Sequence, residues 1–289
     1  MTLKKLTIAV LFSLVAMTSA NAGTPQQDAI QAYKQAVKQN LDDAKKWNEV
    51  GAALMTVGEL DKAIAAYNKA LALAESHKDQ EKIAWVYGNV GEVYRVRGEL
   101  DKAVEMYQKS LAITESLGMK EISVNQYNNL GLVYQSRGEL DKAVEMYQKS
   151  LAITESLGSK EGMAANYANL GNVYQTRGDL DKAVEMYQKS LAINQALSNK
   201  VLNYNNLGLA YQTRGELDKA VEMYQKSLAI TESLGNKEKM AAVYGNLGLA
   251  YAKKGNKAEA KRYYQKSIEL FKYIGSPNAQ KAQGLLDAL

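Results

Sequence analysis

The side chains that could do chemistry are few in kind and repeated in place. There is one histidine, His77, in the polar stretch ESHKDQEK, and there are no cysteines. Disulfides, thiolate metal sites, a cysteine nucleophile and a lipid-bearing cysteine are therefore excluded. A lone histidine among charged neighbours reads as solvated. Paired carboxylates occur all along the chain, so none stands out as an acid–base pair. A Gly-rich phosphate loop with its lysine, HExxH and GxSxG are all absent. Three columns recur instead: an arginine column (Arg97, Arg137, Arg177, Arg214), an asparagine column (Asn89, Asn129, Asn169, Asn206, Asn246) and a methionine column (Met106, Met146, Met186, Met223). The arginines read as helix-end charge beside Glu or Asp, the asparagines as structural braces at the helix junction, and the methionines as half-packed outer residues. A catalytic residue is needed once; a residue written into every layer is expected to belong to a stacking surface.

The elements that carry these columns are themselves copied. GELDKAVEMYQKSLAITESLG occurs at 98–118, 138–158 and 215–235, and GDLDKAVEMYQKSLAINQALS at 178–198. Gly58, Gly98, Gly138, Gly178, Gly215 and Gly255 precede the block, at a period of 40 residues with one interval of 37. A fixed period of this size marks an array. Within 119–158, Tyr127, Leu130 and Tyr134 lie on one helical face, Gly138 stops that helix, and Glu139 and Asp141 open a second helix. The expected inner face of the second helix is Ala143, Tyr147, Leu151 and Ile153, with Gly158 as its stop. Each repeat is therefore helix, tight turn, helix. A mid-helix glycine recurs (Gly51, Gly91, Gly131, Gly171, Gly208, Gly248) although each costs roughly 1 kcal/mol relative to alanine. It is expected to admit the second helix, with Ala143 and its counterparts opposite.

Net charge is +5 over 289 residues, with lysines and arginines interleaved with acids. That describes a solvated surface and no nucleic-acid partner. MTLKK, the apolar run Leu6 to Met17 and the Ala20-Asn21-Ala22 site describe a secretory signal over 1–22, cleaved after Ala22. Twelve apolar residues are too few to span a bilayer, and no later segment is apolar enough, so no integral membrane segment is expected after cleavage. The processed chain would carry +3 after losing Lys4 and Lys5. A periplasmic or secreted protein is expected.

Tyr127, Asn129, Leu130, Gly131, Tyr134, Gly138, Leu140, Ala143, Tyr147 and Ser150, repeated through the chain, resemble the tetratricopeptide repeat (TPR) family. The 40-residue period is closer to the long-repeat type seen in kinesin light chains and bacterial peptide-sensing regulators than to the ordinary 34-residue repeat. The resemblance implies an all-α, right-handed superhelical solenoid of antiparallel helix pairs. It divides the chain into a half-repeat helix at 23–41, six repeats over 42–275 and a capping helix at 276–289, with Ser276-Pro277 as N-cap and first helical residue.

The family's groove-facing columns fall on the residue after the first tyrosine of each repeat and on those five, eight and nine past it. They give Gly88, Glu92, Arg95 and Val96; Asn128, Leu132, Gln135 and Ser136; Ala168, Asn172, Gln175 and Thr176; Asn205, Leu209, Gln212 and Thr213; then Gly245, Leu249, Ala252 and Lys253, with Trp85 and Asn125 joining from the preceding turn. Amides both donate and accept, which suits a peptide backbone. The Lys/Asn/Arg clamp for a terminal carboxylate is missing from the matching positions. The expected function is a protein- or peptide-binding scaffold without catalytic residue, cofactor or metal; the alternative is a structural subunit that self-assembles through its ends or convex face. Between Gly178 and Gly215 three residues are missing, so the second helix of the fourth repeat or the first of the fifth is expected to be short.

Overall fold

The computed structural model describes residues 24–289; the signal segment read over 1–22 lies outside the described residues. Among the described residues fourteen helices follow, most of them joined by tight turns. α1 is Pro25–Lys38. Next in order are α2 Ala44–Thr56, α3 Leu60–Ser76, α4 Gln80–Val96, α5 Leu100–Ser116, α6 Lys120–Ser136, α7 Leu140–Ser156, α8 Lys160–Arg177, α9 Leu180–Ile193, α10 Leu197–Thr213, α11 Leu217–Ser233, α12 Lys237–Lys253 and α13 Lys257–Tyr273. α14, Asn278–Asp287, closes the chain. The contacts divide it into two compact units, one up to Arg137 and one from Gly138.

The turns follow from glycine. Gly98 has φ +78°. Its N–H donates to Arg95 O (3.0 Å) and the Glu99 N–H to Tyr94 O (2.9 Å), which satisfies carbonyls that the helix end leaves open. Lys78, φ +54°, takes this role at the end of α3, where the glycine is missing.

In the first unit, α4 and α5 pack antiparallel. A Cβ on Gly91 would stand 2.8 Å from the Tyr107 ring, and Ser110 Oγ donates to Ala84 O across 2.7 Å. The same pair of contacts recurs in the second unit: Gly171 lies under Tyr187 and Ser190 donates to Ala164 O; Gly208 lies under Tyr224 and Ser227 donates to Val201 O; Gly248 lies under Tyr264 and Ser267 donates to Ala241 O. The glycine column therefore admits a tyrosine ring and not the alanine expected opposite it. The serines satisfy themselves on a carbonyl of the first helix, so a polar residue is buried without an orphaned donor. Tyr127, Leu130 and Tyr134 are buried, as their spacing predicts. On α7 the buried set is Ala143, Tyr147, Ser150 and Thr154; Leu151 and Ile153 are only partly buried. Their apolarity misled: Ser150 and Thr154, at i+7 and i+11 from Ala143, continue the helix face that Tyr147 occupies.

At one end Trp47 is buried beneath α1, edge-on to Tyr33 with ring centroids 6.0 Å apart, and its Nε1 donates to Leu41 O at 2.8 Å. At the other end Ala279, Ala282 and Leu286 of α14 cover Ala241, Ile268 and Phe271. α14 begins at Asn278, one residue later than expected. Pro277 stands before it as cap, and Ser276 Oγ accepts from the Asn278 N–H at 3.3 Å.

Candidate functional site

The first helices carry the variable residues. In the first unit, α4 exposes Trp85 (46%) and Val96 (52%), and α6 exposes Asn125 and Leu132 (40%); Asn128 and Gln135 are half-buried on α6. Between Trp85 and Val96, the Arg95 guanidinium forks onto Glu92, Nε to Oε2 at 2.7 Å and NH2 to Oε1 at 2.5 Å. The Tyr107 hydroxyl of α5 donates to the same Oε2 at 2.8 Å. Partial burial pushes the Glu92 carboxyl up, but the Arg95 fork and the Tyr107 hydroxyl outweigh it and hold the group below the usual carboxylate range. Burial and the neighbouring Glu92 charge push the Tyr107 phenol well above its ordinary value.

In the second unit the same layer is built from amides. The Tyr187 hydroxyl lies 2.8 Å from both Asn172 Oδ1 and Gln175 Oε1. A hydroxyl has one proton, and Asn172 Oδ1 also accepts from Asn206 Nδ2 at 3.0 Å. With Asn172 as the acceptor, the Gln175 amide turns its nitrogen to the hydroxyl oxygen. The Tyr224 hydroxyl approaches Gln212 Oε1 at 3.4 Å, and Gln212 is 4% exposed. Asn205 accepts from Asn246 Nδ2 at 2.8 Å.

The residues expected in the groove thus divide. Trp85 and Asn125 stand out into solvent. Glu92, Arg95, Asn172, Gln175 and Asn205 line the face with part of their bonding capacity already engaged. Gln212 lies beneath the surface and serves Tyr224; its position eight past the first tyrosine points it at the tyrosine of the second helix. Asn128 is half-buried, and its Oδ1 has no hydrogen-bond partner. Leu202, 52% exposed, escaped the sequence reading. It stands two residues before Tyr204, as Trp85 stands before Tyr87 and Asn125 before Tyr127, so the column already named contained it. The asparagine column braces neighbouring first helices rather than the helix junction: Asn89 Nδ2 donates to Asn48 Oδ1 at 2.8 Å, as Asn246 does to Asn205.

The arginine column ties successive layers. Arg97 reaches Asp61 (2.8 Å) and Glu99 (2.7 Å), Arg177 reaches Asp141 (2.7 Å), and Arg214 reaches Asp181 (3.1 Å). Those aspartates are about 90% exposed, so each pair adds little stability. His77 is exposed at the end of α3. Among the described residues no group of three or more His, Asp or Glu is placed to hold a metal ion, and no helix is long and apolar enough to cross a membrane.

A family model described as tetratricopeptide repeat matches residues 42–116, 124–196 and 200–272. The chain belongs to the tetratricopeptide repeat family, whose arrays are generally protein-interaction scaffolds. No curated protein matches it in sequence. Among solved structures, it is similar to a signal transduction ATPase with numerous domains (STAND) protein with a tetratricopeptide repeat sensor from Pyrococcus horikoshii, with TM-score 0.75 and 19% identity over 90% of this chain, which spans 41% of that one. BtubC (BKLC) from P. vanneervenii superposes with TM-score 0.66 and 22% identity, over 74% of this chain and 94% of that one. A putative kinesin light chain with nearly identical TPR-like repeats from Podosopora anserina superposes with TM-score 0.57 and 23% identity, over 66% of this chain and 95% of that one. At these identities the likeness is one of fold.

Proposed function

We propose that this is an exported binding protein that holds an extended protein segment against the first-helix face. The observation that carries the reading is a division of labour. Second helices repeat their residues and their interior contacts, whereas one exposed column on the first helices reads Trp85, Asn125 and Leu202 in different repeats. Across α5, α7, α9 and α11 even exposed residues such as Glu105, Gln108 and Lys109 are repeated, whereas the exposed first-helix column varies, so variation there is free to match a partner. The sensor role in the name of the Pyrococcus horikoshii relative is compatible with a ligand-reading face. Capture of interacting proteins from periplasmic extract by the processed chain tests the proposal, with Trp85→Ala and Leu202→Ala proteins as comparators. Capture that both variants leave unchanged would place binding elsewhere.

Export rests on the segment 1–22. A charge in its apolar run, as in Leu11→Arg, is expected to leave the protein unprocessed in the cytoplasm. An exported protein that retains Met1 by mass spectrometry refutes cleavage.

The second reading, a self-assembling subunit, is favoured by exposed leucines at the ends of second helices: Leu117 (49%), Leu157 (38%) and Leu234 (48%). The covering of Trp47 by α1 and of Phe271 by α14 opposes it, because both terminal apolar faces are already closed. Sedimentation over a range of concentrations separates the two readings: a constant monomer supports the binding protein.

A further inference from the structure

The joint between α9 and α10, inside the second compact unit, is built unlike the others. α9 has 14 residues where α7, α11 and α13 have 17. The sequence INQALSN stands where the preceding repeat has ITESLGS. Two fastenings go with the change. The first is the glycine stop. α7 and α11 end on Gly158 (φ +62°) and Gly235 (φ +63°), each followed by paired backbone hydrogen bonds back into the helix. Ser198 replaces that glycine, and the chain leaves α9 through Asn194 (ψ 123°) and Ala196 (ψ 119°), both extended. The turn is held by Asn194 Oδ1, which accepts from the Ala196 N–H at 3.0 Å.

The second lost fastening is a tie from the first tyrosine of a repeat to the glutamate that ends the preceding second helix. Tyr167 donates to Glu155 (3.4 Å) and Tyr244 to Glu232 (3.1 Å). The counterpart of that glutamate at this joint is Gln195, in the extended stretch. Val184, Val201 and Leu207 are buried on the two helices that meet here, and the polar bonds that cross the joint are Asn203 Nδ2 to Ser190 Oγ (2.6 Å), Gln188 Nε2 to the Tyr211 hydroxyl (3.1 Å), Arg214 to Asp181 (3.1 Å) and Asn206 to Asn172 (3.0 Å). Elsewhere in this unit such bonds add to the glycine stop and the tyrosine–glutamate tie.

We propose that Asn194-Gln195-Ala196 is a pivot about which α10–α14 rocks against α7–α9, changing the separation of α8 and α10. The device is mechanical: between the Asn194 N–H bond to Ser190 O, which closes α9, and the Ala196 carbonyl, which opens α10, the chain lies outside both helices and absorbs rotation that a glycine-stopped helix end transmits. Its use in binding rests on the first-helix reading given above. Asn172 Oδ1 already accepts from Tyr187 and Asn206, so its two lone pairs are taken. A partner that donates into that oxygen must displace either the Tyr187 bond or the Asn206 tie, and displacing the Asn206 tie loosens the pivot. A partner carbonyl accepting from Asn172 Nδ2 leaves the tie in place.

The test uses the free processed chain, so it stands or falls apart from any binding result. With no native cysteine, spin labels go cleanly onto Lys189→Cys with Lys226→Cys across the pivot, and onto Lys226→Cys with Lys266→Cys across the regular α11–α13 joint. The distance distribution is expected to be clearly broader for the first pair. Amides at 190–193 are expected to exchange about tenfold faster than those at 227–230. A repaired chain, with N194T, Q195E and S198G and Glu-Gly-Met inserted after Lys200, is expected to narrow the first distribution to the width of the second. Equal widths and equal exchange in the unaltered chain overturn the pivot, whether or not the repaired chain folds. A repaired, folded chain that stays broad overturns the assignment to these residues.

Discussion

The Tyr187 hydroxyl stands 2.8 Å from Asn172 Oδ1, so a residue of the buried second-helix column and a residue of the variable first-helix column are bonded to each other. The interior therefore reaches the surface that is proposed to read a partner. Tyr187→Phe leaves the ring on Gly171 and removes only the hydroxyl. The expected loss is about 0.5–1.5 kcal/mol in urea unfolding, the net worth of a typical hydrogen bond. A loss near zero would mean that Asn172 and Gln175 recover their bonds from water.

Gly171→Ala places a methyl about 2.6 Å from the Tyr187 ring. A buried ring in a packed layer cannot move away freely, so destabilisation of about 1–3 kcal/mol is expected despite the gain in helix propensity. Gly284→Ala in α14 meets nothing within 4 Å and should be neutral or up to about 1 kcal/mol stabilising. Thermal unfolding of the pair checks this. Similar midpoints for the two variants would contradict the close approach.

Burial drives the phenols of Tyr67, Tyr107, Tyr147, Tyr187 and Tyr224 well above their ordinary value. A raised phenol costs the folded state nothing until the unfolded phenol can ionise, and from there it opposes folding. Stability is therefore retained below about pH 10 and lost as pH rises above it. Absorbance of tyrosinate against pH should show an exposed class near the ordinary value and a buried class that appears together with loss of helical circular dichroism. Full ionisation while the helices persist would contradict the burial.

Trp85→Ala should weaken a captured partner, whereas Gln148→Ala on the outward side of α7 should not. Binding measured on both proteins decides it; equal losses point to a convex site.

Much of the fold was legible because packing repeats. The 3.6-residue face through Tyr127, Leu130 and Tyr134 and the glycine stop at Gly138 carry local rules that no tertiary context overrides. The short α9 was legible too, because Ala183, Tyr187, Tyr204 and Tyr211 keep their internal spacings and leave only the joint to absorb the lost residues. Polar burial was hidden. Ser150 and Thr154 look like surface residues until the helix phase is followed, and a serine becomes a core residue only when a carbonyl of the neighbouring helix lies within reach, as Ala164 O does for Ser190. Gln212 fell to the same difficulty. Spacing gives the direction in which a side chain leaves the helix, but not whether a tyrosine from the second helix already occupies that direction. Leu202 was hidden because a leucine in an amphipathic helix ordinarily turns inward, and only the helix phase set by Tyr204 turns it out.

The contact of Gly171 with Tyr187 is made again, with the same residue types, by Gly208 with Tyr224 and Gly248 with Tyr264. Each layer is thus written in a dialect that several others speak. A genetic event that copies or removes one period of sequence would leave these docking chemistries intact, changing the number of layers without changing how they meet. What distinguishes one position in the stack from another is carried by the residues that break the pattern: Trp47 at the beginning, Asn194 at the joint and Phe271 at the end. They act as the punctuation of an otherwise recopied text, and they are where a lengthened or shortened descendant would first betray its history.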